Sequence, residues 1–216
     1  MKILITGGAG YIGSHTIIEI LENTYWEVIS IDNYSNSSAK TYQRIEQITS
    51  KKIKYYNLDL TDLSLTEKVF EENRDIVGII HFAAFKSVPE SVENPLLYYH
   101  NNLNSLINIL KCQEKFNIPN LIFSSSCSVY GNIDTLPVTE NTPLNNPESP
   151  YAYTKQIGEK IVEDFIKINP TLKTISLRYF NPVGAHKSGL NGELPLSKPN
   201  NLVPYITQTA IGKLEQ

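Results

Sequence analysis

Lys2-Ile3-Leu4-Ile5-Thr6-Gly7-Gly8-Ala9-Gly10-Tyr11-Ile12-Gly13 decides the fold. Ile3–Thr6 is a short apolar run that reads as a strand. It enters a turn in which two glycine spacings overlap, Gly8-x-Gly10-x-x-Gly13 and Gly7-x-x-Gly10-x-x-Gly13. Glycine permits the tight turn, close backbone approach to a pyrophosphate and close contact between strand and following helix. Phosphates would meet free N–H groups at a helix N-terminus beginning near Tyr11. The plainer alternative is a structural strand-to-helix turn. Asp32 weighs against it, because it ends the next apolar run 19 residues past Gly13.

Asp32 also bears on which dinucleotide fits. A carboxylate at this point can accept both hydroxyl protons of an adenosine ribose and would repel a 2′-phosphate. No Arg or Lys follows until Lys40, so NAD is favoured over NADP. The competing role for Asp32 is to cap the polar loop that Asn33 opens.

Beyond the first turn, strand-like runs recur at Val28–Ile31, Ile53–Tyr56, Val77–Phe82, Leu121–Phe123 and Thr174–Leu177. Helical patterns lie between them. Leu103, Leu106, Ile107 and Leu110 keep helical spacing, so Pro95 to about Phe116 reads as one helix, started by Pro95 and stopped by Pro119. A second runs from Tyr151 to about Ile168. This alternation predicts an α/β fold: a doubly wound parallel sheet covered on both faces. Residues 1–180 read as a dinucleotide-binding domain. Residues 181–216 lose the rhythm, being rich in Pro, Gly and Asn through Leu190–Asn201 and then apolar from Leu202 to Ile211. They read as the beginning of a smaller, incomplete domain.

Composition narrows the function. The 216 residues are 41% hydrophobic and 19% charged with net charge −3, which gives no reason to expect nucleic acid or an anionic membrane as partner. Cys112 and Cys127 form no C-x-x-C pair, which favours a reducing, cytoplasmic setting over a disulfide framework. His15, His81, His100 and His186 show no metal-ligand spacing, and no metal is expected. No apolar run approaches membrane-spanning length, and Met1-Lys2 leads straight into a strand, unlike a signal peptide.

A second constellation carries proton chemistry. Tyr151 and Lys155 stand four residues apart on one helix face, and Ser124-Ser125-Ser126 closes the fifth strand upstream. In an open α/β sheet such pieces meet at the carboxyl ends of the strands. Oxidising a secondary alcohol requires removal of its hydroxyl proton, and a free tyrosine with pKa ~10 is too weak a base by about 4 kcal/mol. A cation ~4 Å away at an effective dielectric of ~20 supplies about 4 kcal/mol, and at ~6 Å under 3. Lys155 alone therefore just suffices or falls short, and an oxidised nicotinamide would add a second positive charge. Ser126 would hydrogen-bond the reacting oxygen. The bland reading of Tyr151 and Lys155 is a solvated surface pair. Tyr153 competes weakly as base, since position 157 holds Ile157 and not lysine. Asp59 offers either an adenine contact or a helix N-cap, and Lys86, at the end of the fourth strand beside Ala83 and Ala84, either a phosphate or ribose contact or mere solvation.

Together these motifs resemble the extended short-chain dehydrogenase/reductases. Longer stretches resemble the UDP-galactose 4-epimerase family within them: Thr6–Thr16, Ile31–Ser37, Tyr98–Asn102, Phe123–Gly131, Leu177–His186 and Pro199–Tyr205, which follow in order along the whole chain. The resemblance implies Tyr151 as acid/base, Lys155 on the nicotinamide ribose and Ser126 on the sugar hydroxyl. It implies an NAD site formed by Gly7, Gly10, Tyr11, Ile12, Gly13, Asp32, Asn33, Ser35, Asn36, Ser37, Asp59, Leu60, Phe82, Ala83, Ala84, Lys86, Asn101, Ser124, Tyr151, Lys155 and Phe180. It further implies that Lys86, Ser126, Tyr151, Phe180, Asn181, Asn201 and Leu202 face a UDP-sugar, and that UDP-galactose and UDP-glucose are interconverted. It implies a homodimer formed through the helices near 95–116 and 151–168. Ala84 stands where family members commonly have glycine, as does Pro89. Family members are longer, so the chain is expected to be part of a larger protein. Two rivals remain. A 4,6-dehydratase would follow Ser126 with an Asp-Glu pair, but Cys127 and Ser128 stand there. A non-catalytic NAD-binding module would not need Tyr151, Lys155 and Ser126 together.

Overall fold

The computed structural model describes residues 1–134, 136–195, 199 and 201–214. Strands β1 (Lys2–Thr6), β2 (Glu27–Asp32), β3 (Lys54–Asn57), β4 (Ile76–His81), β5 (Asn120–Ser126) and β6 (Lys173–Tyr179) form one sheet in the order β3-β2-β1-β4-β5-β6. Every pairing is parallel. The connections are α1 (Tyr11–Asn23), α2 (Lys40–Thr49), α3 (Leu63–Glu72), α4 (Val88–Glu93), α5 (Pro95–Lys115) and α6 (Pro150–Ile168), and α7 (Leu202–Ala210) follows β6. The expected doubly wound α/β fold is borne out. The strand order reverses between β1 and β4, which opens a crevice at their carboxyl ends.

Side chains alternate along the strands and so build two cores. Ile3, Ile5 and Val28 pack with Ile17, Ile18 and Leu21 of α1 and Tyr42 and Ile45 of α2. Leu4, Ile29, Ile31, Ile79, Leu121 and Phe123 face the other way, against Val69 and Phe70 of α3, Leu106 and Ile109 of α5 and Val162 of α6. Leu4 is fully buried, so truncation to alanine would cost about 2–5 kcal/mol.

Helix starts follow local chemistry. Pro95 occupies the first turn of α5 and Pro150 that of α6, where no intrahelical donor is lost. The Ser149 hydroxyl accepts from Ala152 N at 3.2 Å and fixes where α6 begins. Asp59 corrects one alternative. β3 ends at Asn57, and the cap of α3 is Asp62, whose Oδ1 accepts from Leu65 N at 3.0 Å. Asp59 instead accepts from Thr61 N and Thr61 Oγ1, both at 2.8 Å, closing the turn before that cap. Phe82 lies just past β4, which ends at His81.

The Pro- and Gly-rich stretch after β6 crosses the carboxyl edge of the sheet. An antiparallel bridge joins Ala185 to Gly192. Tyr11 Oη donates to Gly184 O at 2.7 Å, and Asn191 Nδ2 donates to Ser14 Oγ at 3.1 Å. The stretch is thereby tied to the first turn of α1. In the Leu190–Asn201 segment, read as loop or hairpin, positions 196–198 and 200 lie outside the described residues.

Candidate active site

The glycine turn is held by Gly7 N donating to Ile31 O at 2.8 Å and Gly10 N to Gly7 O at 3.1 Å. Gly7 has φ +70°, and a Cβ there would come within 2.8 Å of Ala83 N. A Cβ on Gly13 would come within 2.3 Å of Gly7 O, so α1 can seat against the turn only with glycine there. On Gly10 a Cβ would meet only Gly7 O, at 3.2 Å, its other side being open. No side chain caps α1 and no acidic residue lies in its first turn. An uncapped helix N-terminus behind an open glycine turn suits a diphosphate.

Asp32 is buried at the end of β2 and makes three contacts. Its Oδ2 accepts from Ala9 N at 3.0 Å, and its Oδ1 accepts from Tyr34 N at 2.9 Å and Ser37 Oγ at 2.7 Å. The turn-capping role is thus realised, and it fixes the carboxylate against the glycine turn. Tyr34 takes φ 56°, uncommon for a bulky residue, and the Asp32 bond helps hold it there. Asn33, Ser35 and Asn36 are exposed on the same loop, with Ser35 N donating to Asn33 Oδ1 at 3.0 Å. Leu60 is buried and its carbonyl accepts from Asn108 Nδ2 at 2.9 Å. On the far wall of the crevice, Phe82 N donates to Thr6 O at 3.1 Å and Ala83 N to Thr6 Oγ1 at 3.3 Å. Ala84 is half-buried beside them, and Asn101 Nδ2 donates to Asn102 Oδ1 at 3.0 Å.

Across the switch point, β5 and α6 bring Ser124, Ser126, Tyr151 and Lys155 together. Burial pushes the Tyr151 phenol above its ordinary pKa, and hydrogen bonding to Ser126 acts against that rise. Cys127 adds a smaller upward push. Ser126 Oγ also accepts from Ser128 Oγ at 2.9 Å. Lys155 is buried, and its Nζ donates to Ser124 O at 2.7 Å. That Nζ lies 5.1 Å from the Phe123 ring centroid and 6.0 Å from the Tyr151 centroid. Burial pulls the ammonium down to about 8. Behind it, His81 Nδ1 lies 2.8 Å from Thr6 Oγ1, and burial and then the Lys155 charge hold the imidazole neutral with a pKa of about 3. Tyr153 points elsewhere, being 45% exposed with its ring against Tyr99.

The remaining site candidates are more open. Phe180 and Asn181 are exposed just past β6, and Leu202 is exposed at the start of α7. Asn201 precedes α7, and its Nδ2 donates to Glu193 Oε1. Lys86 Nζ lies 3.5 Å from the same Glu193 oxygen.

This geometry offers an anion-accepting turn, a carboxylate beside it and a buried Tyr–Ser–Lys group across one crevice. The model of the NAD dependent epimerase/dehydratase family matches residues 3–210. The chain belongs to this family. Among relatives, it is 48% identical over 216 residues to the UDP-glucose 4-epimerases of Pasteurella multocida and Bacillus subtilis, covering 100% of this chain and 63% of each relative. A crystal structure of UDP-glucose 4-epimerase from Bifidobacterium longum, in complex with NAD+ and UDP, superposes with a TM-score of 0.96 at 48% identity, over 100% of this chain and 64% of that one. The chain therefore spans under two thirds of the length of the relatives it matches.

Family motifs do not account for how α6 is held. Glu159 accepts from Arg178 Nε at 2.9 Å and Nη2 at 2.7 Å, and from Ser125 Oγ at 2.5 Å. Arg178 Nη1 also donates to Tyr130 Oη at 3.1 Å. A Cβ on Gly158 would come within 2.7 Å of the Phe123 ring, so α6 sits close on β5 only because that residue is glycine. The available signals were an arginine inside an apolar strand and a glycine inside a helix. Asn102 was missed as well. It accepts from Phe85 N at 2.8 Å and donates to Phe85 O at 3.0 Å and Thr154 Oγ1 at 3.1 Å, which ties the Lys86 loop to α6.

Proposed function

We propose that the protein is a UDP-glucose 4-epimerase using NAD, and that the described chain carries its dinucleotide-binding part. The observation that carries this reading is the buried Lys155 ammonium on Ser124 O, one turn along α6 from Tyr151, in a chain 48% identical along its whole length to UDP-glucose 4-epimerases. When bound, NAD supplies a reversible hydride acceptor for sugar C4. The open turn at Gly7, Gly10 and Gly13 and the N–H groups of α1 hold its diphosphate. Asp32 accepts from the adenosine ribose and disfavours a 2′-phosphate. Asn33, Ser35, Asn36, Ser37, Asp59 and Leu60 line the adenosine end. Phe82, Ala83, Ala84, Lys86, Asn101, Ser124 and Phe180 line the nicotinamide end.

The chain's own residues manage the proton. Tyr151, as phenolate, takes the proton of the sugar 4-hydroxyl while Ser126 holds that oxygen by a hydrogen bond. Loss of that proton together with the C4 hydride, which the bound dinucleotide would accept, leaves a 4-keto sugar that rotates within the site. Tyr151 would then return the proton to the oxygen as the hydride returns to the opposite face of C4. Lys155 supplies positive charge and a ribose contact. Asn181, Asn201 and Leu202 hold the UDP-sugar, and residues 181–216 open the substrate-binding unit that follows residues 1–180. Dehydration is disfavoured because Cys127 and Ser128 occupy the places of its two carboxylates.

The partner is a second copy of the chain, paired through α5 and α6. Leu96 is 81% exposed, and the Tyr99–Tyr153 pair spans these two helices. Sedimentation at micromolar concentration tests this: a monomer rejects it. A cytoplasmic setting fits the two free cysteines. The reaction itself is tested by incubating the whole protein with UDP-galactose and identifying the product. UDP-glucose supports the epimerase, a 4-keto-6-deoxy sugar supports a dehydratase, and unchanged substrate supports a non-catalytic NAD-binding module.

A further inference from the structure

We propose that Glu193 is a positioning residue that holds the cofactor side and the sugar-nucleotide side of the crevice in one frame. One carboxylate oxygen receives both Lys86 Nζ, at 3.5 Å, and Asn201 Nδ2. Lys86 stands on the loop after β4, among the residues read as lining the NAD site, and Asn201 precedes α7, among those read as holding the UDP-sugar. They are 115 positions apart in the chain, and Glu193 joins them. This inference rests on the functional reading above for the names of the two ligands.

The surroundings explain why a carboxylate is needed. The Glu193 side chain is only 15% exposed, whereas that of Lys86 is 56% exposed. A long, mostly solvated lysine has no fixed direction of its own, and a nearly buried acceptor supplies one. The segment that carries Glu193 is anchored on both sides of the first turn of α1. Tyr11 Oη reaches Gly184 O at 2.7 Å, and Asn191 Nδ2 reaches Ser14 Oγ at 3.1 Å. His186 N donates to Asn191 O at 2.8 Å and closes the segment on itself. Glu193 is thus fixed to the end of α1 that faces a diphosphate. An acidic group near an anion would work against binding unless its charge were offset, and Lys86 offsets it. The charge of Glu193 also reaches Tyr11, whose phenol it pushes up after burial does.

The two contacts differ in what they require. Asn201 needs an oxygen that accepts a hydrogen bond, which glutamine retains. Lys86 needs a negative charge, which glutamine lacks. Glu193→Gln therefore separates them, and Glu193→Ala removes both.

The test measures equilibrium affinity of the whole protein for NAD and, separately, for UDP, in wild type, Glu193→Ala, Glu193→Gln, Lys86→Met and Lys86→Met/Glu193→Ala. Glu193→Ala is expected to weaken each ligand by roughly tenfold, in line with loss of a hydrogen bond to a charged group. Glu193→Gln should recover most of the UDP affinity and little of the NAD affinity. The double variant should bind NAD no more weakly than Lys86→Met alone, because the two residues act as one unit. Multiplicative losses in the double variant, or unchanged affinities in Glu193→Ala, overturn the proposal. A wild type that binds NAD but not UDP overturns the functional reading instead, and the NAD cycle still decides whether Glu193 positions Lys86.

Discussion

The Lys155 ammonium donates to the Ser124 carbonyl at 2.7 Å and stands 6.0 Å from the centre of the Tyr151 ring. Lysine and tyrosine share one face of α6, yet the lysine is committed to the strand end. A tyrosine base needs roughly 4 kcal/mol of help near neutrality, and Lys155 is not among the groups that shift the Tyr151 phenol. Burial raises the phenol further, and among the groups that shift it only Ser126 acts downward.

Tyr151 should therefore become a competent base only with NAD+ bound. Ultraviolet difference titration of tyrosinate, taken as wild type minus Tyr151→Phe, should show an acid shift when NAD+ is added. Lys155→Met should move the same transition to higher pH. A transition indifferent to both NAD+ and Lys155 would remove the electrostatic role assigned here.

Lys155 should also cost stability. Its pKa is lowered to about 8 by burial, below the ordinary lysine value. Between about 8 and the unfolded value the unfolded chain binds more protons, so wild-type stability should rise with pH across that window. Below it the buried ammonium is fully charged and the penalty is complete. Lys155→Met should accordingly be more stable than wild type at pH ~7, with the advantage shrinking towards pH ~10. Thermal unfolding of both proteins across that range checks the sign. A variant that is less stable at neutral pH would show that the Ser124 bond outweighs desolvation.

Tyr151→Phe should reduce turnover by ~10²–10⁴ while leaving NAD affinity nearly unchanged, since the phenol oxygen handles the proton and the ring fills space. Paired measurement of kcat and NAD affinity separates the two. Near-normal turnover would reassign the base.

Asp32→Ala should do two things. It should narrow the preference for NAD over NADP, and it should loosen the glycine turn, because Ala9 N, Tyr34 N and Ser37 Oγ all lose their acceptor. NAD affinity is expected to fall by about tenfold or more. Titration with both dinucleotides checks it, and unchanged discrimination would place specificity elsewhere in the 33–40 loop.

Much of this was legible because the informative signals are local. The glycine spacing, the placement of Asp32 and the Tyr151/Lys155 pair each depend on a few neighbouring residues and one element type. The strand–helix alternation then left few arrangements of the sheet. Contacts between segments distant in sequence were not legible. Nothing near Asp59 says that the cap of α3 is Asp62, three residues on. Nothing near Lys155 says that its ammonium meets a backbone carbonyl of β5. Glu193 sits in a Pro- and Gly-rich stretch with no periodicity, so its meeting with Lys86 appears only once the chain has folded back over α1.

On the proposed reading, Tyr151, Ser126 and Lys155 serve a reversible oxidation at sugar C4, with the hydrogen taken from that carbon returned to it. The most direct measurement supplies the whole protein with UDP-galactose labelled with deuterium at C4 and follows the label by mass spectrometry and proton NMR. UDP-glucose that retains deuterium at C4 is the expected product. Label lost to solvent, or a 4-keto-6-deoxy product, would contradict it.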